Sequence, residues 1–195
     1  LGKLYGLTLE KYPDNADWLV RAGIFYAQQD DGEQAEKLLE RAWQLSLEQT
    51  GGRMQIFDAY LGTLGQLEKL DKLQAVASKY IDTEFAPVAY ASMAEVKAKM
   101  GNRATAVDYY RKALDKSAGN ESLVYGVLVN MAKVIGTDEA VRWCNDKLAE
   151  APDSLPVITV LFRIYLMQGE PNKAMGYVNK AIDLIDPETN RGLLV

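Results

Sequence analysis

The chain has 195 residues, of which 48% are hydrophobic and 25% charged; this is enough apolar content for a continuous core and too much for a disordered tail. Its 27 acidic and 22 basic residues give a formal net charge of -5, which opposes the counterion release that drives nucleic-acid binding, so no nucleic-acid partner is expected. Histidine is absent and Cys144 is the single cysteine, which removes the commonest general base and metal ligand, every zinc site or catalytic triad that needs them, and any internal disulfide.

A chain with one cysteine suits a reducing compartment, but a periplasmic protein can also lack disulfides, so cytoplasm and periplasm both fit. No charged segment followed by an apolar core and a small-residue cleavage site is visible. The longest apolar run, Val157 to Met167, is broken by Arg163 and falls short of the roughly 20 residues that span a bilayer, so no membrane insertion is expected.

In chain order, residues 1–15 read as a second helix that closes an earlier unit, with Tyr5 in its aromatic position and Pro13 stopping it. The chain is therefore expected to be a piece of a longer array. A unit over 16–49 follows: Leu19, Gly23 and Tyr26 lie at helical spacing, Asp31-Gly32 marks a turn, and Ala35, Leu39 and Ala42 line a second helix. Residues 50–86 form a longer, irregular unit without an alanine in register. Leu61-Gly62 supplies its large-small pair, and Gly51-Gly52 in "EQTGGRM" is expected to hold the extra residues in a loosened turn.

Three equal units then cover 87–120, 121–154 and 155–188, and 189–195 reads as a tail or the start of a further helix. Ala106, Ala140 and Ala174 recur at steps of 34, and Ala35 lies 71 residues before Ala106, which is two such steps with a three-residue insertion. Four residues after each alanine stand Leu39, Tyr110, Cys144 and Val178; three further on stand Ala42, Ala113, Lys147 and Ala181. Gly101-Asn102, Gly136-Thr137 and Gly169-Glu170 mark the turns, and Pro152 and Pro187 stop second helices as Pro13 does. Leu128 and Phe162 occupy positions where a small residue is usual, so altered helix spacing is expected there. Tyr26, Tyr110 and Tyr165 are assigned to the core.

These columns resemble the tetratricopeptide repeat family: 34 residues per unit, a large residue, a large-small pair, then alanine, an aliphatic or aromatic residue, alanine and a late proline. The resemblance implies an all-α fold, a right-handed superhelical solenoid of stacked antiparallel helix-turn-helix repeats. It also implies that the first helix of each unit lines a concave groove. The groove positions carried over are Val20, Ile24, Ala27 and Gln28; Ala91, Glu95 and Lys99; Tyr125, Val129 and Lys133; and Thr159, Arg163 and Met167. The irregular unit cannot be assigned in this way. Co-chaperone members grip a carboxylate with a lysine, asparagine and arginine clamp; the first-unit pair would fall on Val20 and Ile24 here, so that clamp is missing.

Motifs for chemistry are few. There is no GxGxxG, no GxxxxGK[ST] and no CxxC. Asp30-Asp31-Gly32 lacks the alternating ligands and closing glutamate of a calcium loop, so it reads as a polar turn. Asn120-Glu121-Ser122 matches a glycosylation acceptor, but Asn120 stands where a helix N-cap is expected. Cys144 falls in a packing column.

The expected function is a non-enzymatic protein-protein interaction scaffold that takes a peptide or protein segment, with no cofactor, metal or catalytic residue. The alternatives are the repeat arm of a larger enzyme or envelope-assembly protein, such as a glycosyltransferase or an exopolysaccharide or pilus assembly factor, and a module that self-associates through its repeat ends. RNA reading by related 35-residue repeats is disfavoured by the 34-residue step and the acidity.

Overall fold

The computed structural model describes residues 2–117 and 119–185. Pro187 and the segment 189–195 lie outside them. The described residues form helices without strands, in two compact units, Leu1–Met100 and Gly101–Val195.

The first unit holds α1 (Gly2–Lys11), α2 (Ala16–Gln28), α3 (Gly32–Thr50), α4 (Met54–Gln66), α5 (Leu70–Ala77, continued by a 3-10 turn over Ser78–Tyr80) and α6 (Ala86–Lys99). The α2–α3 hairpin starts from two side-chain caps: Asn15 accepts from the Trp18 N–H at 3.1 Å and Asp31 from the Gln34 N–H at 3.2 Å. The two helices close where side chains are small. A Cβ on Gly23 would stand 2.6 Å from Leu39 Cγ, and Ala22, Ala35 and Leu39 are fully buried. The turn differs from the sequence expectation, because Asp30 takes the left-handed backbone (φ 60°). Gly32 instead opens α3, where a side chain would collide with Leu67.

The irregular region closes by other means. "EQT" continues α3 instead of loosening the turn, and Gly51 (φ 75°) caps it by donating to the Leu47 carbonyl. Trp43, Phe57, Tyr80 and Phe85 then form one aromatic cluster, every pair of rings lying 4.7 to 5.9 Å apart. Each such pair adds about 0.5–1.5 kcal/mol beyond its burial. Trp43 Nε1 donates to Tyr80 Oη at 3.2 Å. Gly52 (φ 106°) runs against this cluster, its missing Cβ only 2.6 Å from Phe85 Cζ. The small partner of Leu61 is the buried Gly65, which faces Leu73, whereas Gly62 lies exposed with nothing near it.

Helix α5 lacks a side-chain N-cap, and its amino end carries two lysines. Neither feature favours a helix start. Both are offset from α3: Lys69 and Lys72 donate to Glu36, and Lys72 reaches Glu40 at 3.0 Å. Burial works to raise the Glu36 carboxyl, but the hydrogen bonds from Lys69 and Lys72 outweigh it and hold the group below its ordinary value.

The second unit holds α7 (Arg103–Lys116), α8 (Glu121–Ile135), α9 (Thr137–Glu150), α10 (Leu155–Met167) and α11 (Pro171–Ile185). Asn102 caps α7 and Asn120 caps α8, each at 3.1 Å. Helix α8 packs on α7, α9 and α10, and α10 packs on α9 and α11. Ala106, Ala140 and Ala174 are buried to within 1% of their surface, as are Tyr110 and Ala113. Leu128 is fully buried at a position where a small residue was expected. Tyr26 and Tyr165 are only half-buried, which corrects their assignment to the core; Tyr26 packs edge-on against Phe25 at 5.5 Å, and Tyr165 stacks on Tyr177 of α11 at 5.6 Å.

Gly52→Ala should lower the unfolding free energy by about 1–3 kcal/mol, through positive-φ strain and collision with Phe85, and Gly62→Ala should leave it equal or raise it by about 0.5–1 kcal/mol; urea midpoints of the two variants measure both. Because the folded Glu36 has a depressed pKa, its contribution is complete above the unfolded value of 4.5 and disappears as pH falls through the folded value. Glu36→Gln should therefore melt below the parent near pH 6 and show a shallower acid decline in a calorimetric series.

Candidate functional site: the exposed faces of the first helices

In the first unit, α2, α4 and α6 lie side by side, α4 packing on both neighbours. Val20 and Ala27 are half-buried, Ile24 is 39% exposed and Gln28 is open to solvent. On α6, Ala91 is buried and Glu95 half-buried. Lys99 reaches back to donate to the Gly65 carbonyl near the end of α4. Its charge thus serves the last turn of a neighbouring helix, where a cation is favoured.

The sequence pattern left α4 unassigned. Phe57, Tyr60, Leu61 and Leu64 are buried, which leaves Asp58 and Gly62 one turn apart on the exposed side. Asp58 is open to solvent yet enclosed by surrounding protein, and that enclosure pushes its carboxyl above the usual range. A signal for it existed: once the i, i+3, i+4, i+7 set from Phe57 is assigned inward, Asp58 must face away.

In the second unit α8 and α10 are neighbours, and the structure brings two expected residues into direct contact. Arg163 Nη1 donates to Tyr125 Oη at 2.7 Å, with the guanidinium carbon 4.7 Å from the ring centroid. Val129 is half-buried beside them on α8, Lys133 and Thr159 are exposed, and Met167 is 57% exposed. The face therefore joins a preorganised cation, a second cation and apolar side chains.

Among the described residues no group of three or more His, Cys, Asp or Glu side chains is arranged to hold a metal, and no helix is long and apolar enough to cross a membrane. Cys144 is fully buried, and burial raises its thiol to about 12. The Asn120 side chain accepts from the Leu123 N–H, the capping role expected for it.

No family model matches the chain, and no curated protein matches it. Solved structures do. Yeast Tom70 is similar over 94% of this chain and 39% of that one, at 15% identity and a TM-score of 0.57; this chain thus spans well under half of Tom70. BtubC from P. vanneervenii is similar over 94% of this chain and 86% of that one, at 15% identity and a TM-score of 0.50. A tetratricopeptide repeat protein from Parabacteroides merdae is similar over 93% and 71%, at 17% identity and a TM-score of 0.47. The fold is an all-α array of helical hairpins. It is of the tetratricopeptide-repeat type.

With its thiol buried and held at about 12, Cys144 should not react with Ellman's reagent at neutral pH in the folded protein and should react fully in denaturant. Stoichiometric labelling of the folded chain would contradict the burial.

Proposed function

We propose that the chain is a non-enzymatic protein-interaction scaffold that binds a segment of a partner protein along the face shared by α8 and α10. One observation carries this reading: Arg163 is held on Tyr125 by both a hydrogen bond and a ring contact, in the open, beside exposed Met167 and Lys133. An exposed guanidinium fixed on a ring gives up part of its rotamer freedom before any partner arrives, which lowers the entropic cost of binding. The remaining donors suit a carboxylate, and Val129 and Met167 suit apolar side chains. The partner segment is therefore one with apolar anchors and at least one acidic residue, either a helix presenting one face or an extended strand.

The first-unit positions Val20, Ile24, Gln28, Glu95 and Lys99, joined by Asp58, form a second contact region in this reading. There Lys99 acts on the end of α4, and Asp58 provides acidity at the floor. The division into units at 16, 50, 87, 121 and 155 belongs to the same proposal.

The test is a displayed random-peptide library selected on the full chain, with affinities measured for the enriched sequences. Combining Tyr125→Ala with Arg163→Glu should weaken acidic-apolar binders at least tenfold, about 1.4 kcal/mol, and Asp108→Asn on the exposed side of α7 should leave them unchanged. If every selected peptide binds the double variant as well as the parent, the assignment of this face fails.

A further inference from the structure

The second unit carries an open cavity of about 660 Å³ to which none of the expected groove residues contributes. It opens at the edge where the α7–α8 and α9–α10 turns lie, and its size is in the range of pockets that enclose a ligand group. The floor is apolar: Leu114 and Val157 are buried and Trp143 is half-buried. The rim is acidic, with Asp115, Glu121, Glu150 and Asp153 against one cation, Lys147.

Two helices end at this cavity and two begin there, so their opposed dipoles largely cancel and the side chains set the sign of the field. Lys147 shows what the field favours. It bonds to Glu150 at 2.9 Å and lies 5.8 Å from the centroid of the Trp143 ring; the Glu150 hydrogen bond and the charges of Glu150, Asp115 and Asp146 hold its ammonium form above the ordinary range. One rim carboxylate is thereby paired. Among the described residues no ion pair engages Asp115, Glu121 or Asp153.

We propose that this cavity is a second binding site, for a basic peptide segment that seats an apolar side chain against Trp143 and places flanking arginine or lysine side chains on Asp115, Glu121 and Asp153. An acidic or phosphorylated segment would meet like charge around the rim. A bare metal ion would find no set of three converging ligands among the described residues. The site is independent of the α8–α10 face, and its partner has the opposite charge.

The experiment titrates the ¹⁵N-labelled full chain with the peptide acetyl-Arg-Lys-Leu-Phe-Lys-Arg-amide and follows the three indole N–H signals. The expected result is a saturable shift of Trp143 with Trp18 and Trp43 unmoved, weakened about tenfold by Asp115→Asn combined with Asp153→Asn and weakened further by salt. All the substituted carboxylates are exposed, so unchanged helicity and melting should accompany the loss. The counterpart acetyl-Glu-Glu-Leu-Phe-Glu-Glu-amide should produce no shift, and Tyr125→Ala with Arg163→Glu should bind the basic peptide like the parent. An unmoved Trp143 signal, equal binding by the acidic peptide or by spermidine, or parental affinity in the Asn variant would each overturn the proposal.

Discussion

Two helices can pair closely only where one offers the other a side chain small enough to pass, and the rest of this structure depends on that constraint. At Gly23 the space is measurable, because a single added carbon would stand 2.6 Å from Leu39. Ala35, Ala106, Ala140 and Ala174 serve the same end in their second helices, all buried to within 1%. A tight pair covers one face of each helix and leaves the others to be covered by the next pair, so burial passes from hairpin to hairpin. The first helices are thereby set beside one another, α2 with α4 and α6, and α8 with α10. The exposed faces follow from the crossing geometry.

Where the small residue is missing, something else must fill the volume. Ala35 and Ala106 each stand four residues after their helix N-cap, and in α5 that position holds the larger Leu73, buried against Gly65 of α4. The region also extends α3 by a turn, shortens α5 and packs four aromatic rings where α3 and α4 meet the turn after α5. This arrangement imposes its own requirements. The cluster holds Gly52 at a backbone conformation and proximity that would strain a side chain, and the lysines at the start of α5 need Glu36 and Glu40 on α3. Specific polar bonds thus replace a generic small-residue contact.

The alanine columns were legible in the sequence because a 34-residue step places chemically identical residues in identical surroundings. What could not be read had lost that equivalence. Asp58 was missed because its unit carries no alanine in register, although the buried set from Phe57 to Leu64 points to it. Lys99 reads as a groove cation by position, and only coordinates reveal its bond to the Gly65 carbonyl. Tyr165 occupies a core column yet stacks half-exposed on Tyr177, because α11 offers a flat ring in place of a closed pocket. The Arg163–Tyr125 pair joins residues 38 positions apart on neighbouring first helices, which periodicity allows without requiring. The acidic cavity was the least legible feature, since Leu114, Val124, Trp143 and Val157 come from four helices and share no column.

Charge is divided within the second unit in a way that composition conceals. A net charge of -5 suggests a uniformly acidic surface, yet the α8–α10 face carries Arg163 and Lys133 while the cavity rim carries four carboxylates against one lysine. Near-balanced mixtures of charge add little net affinity for any one partner; separated patches of opposite sign discriminate, because a segment that suits one is repelled by the other. The helix ends cannot account for the separation, since starts and ends meet together at the cavity. It resides in side chains that the repeat packing leaves free to vary. Packing determines which positions are buried and nearly fixes their size, whereas the outward positions of the same helices carry no such demand, so they are where a fold of this kind can vary.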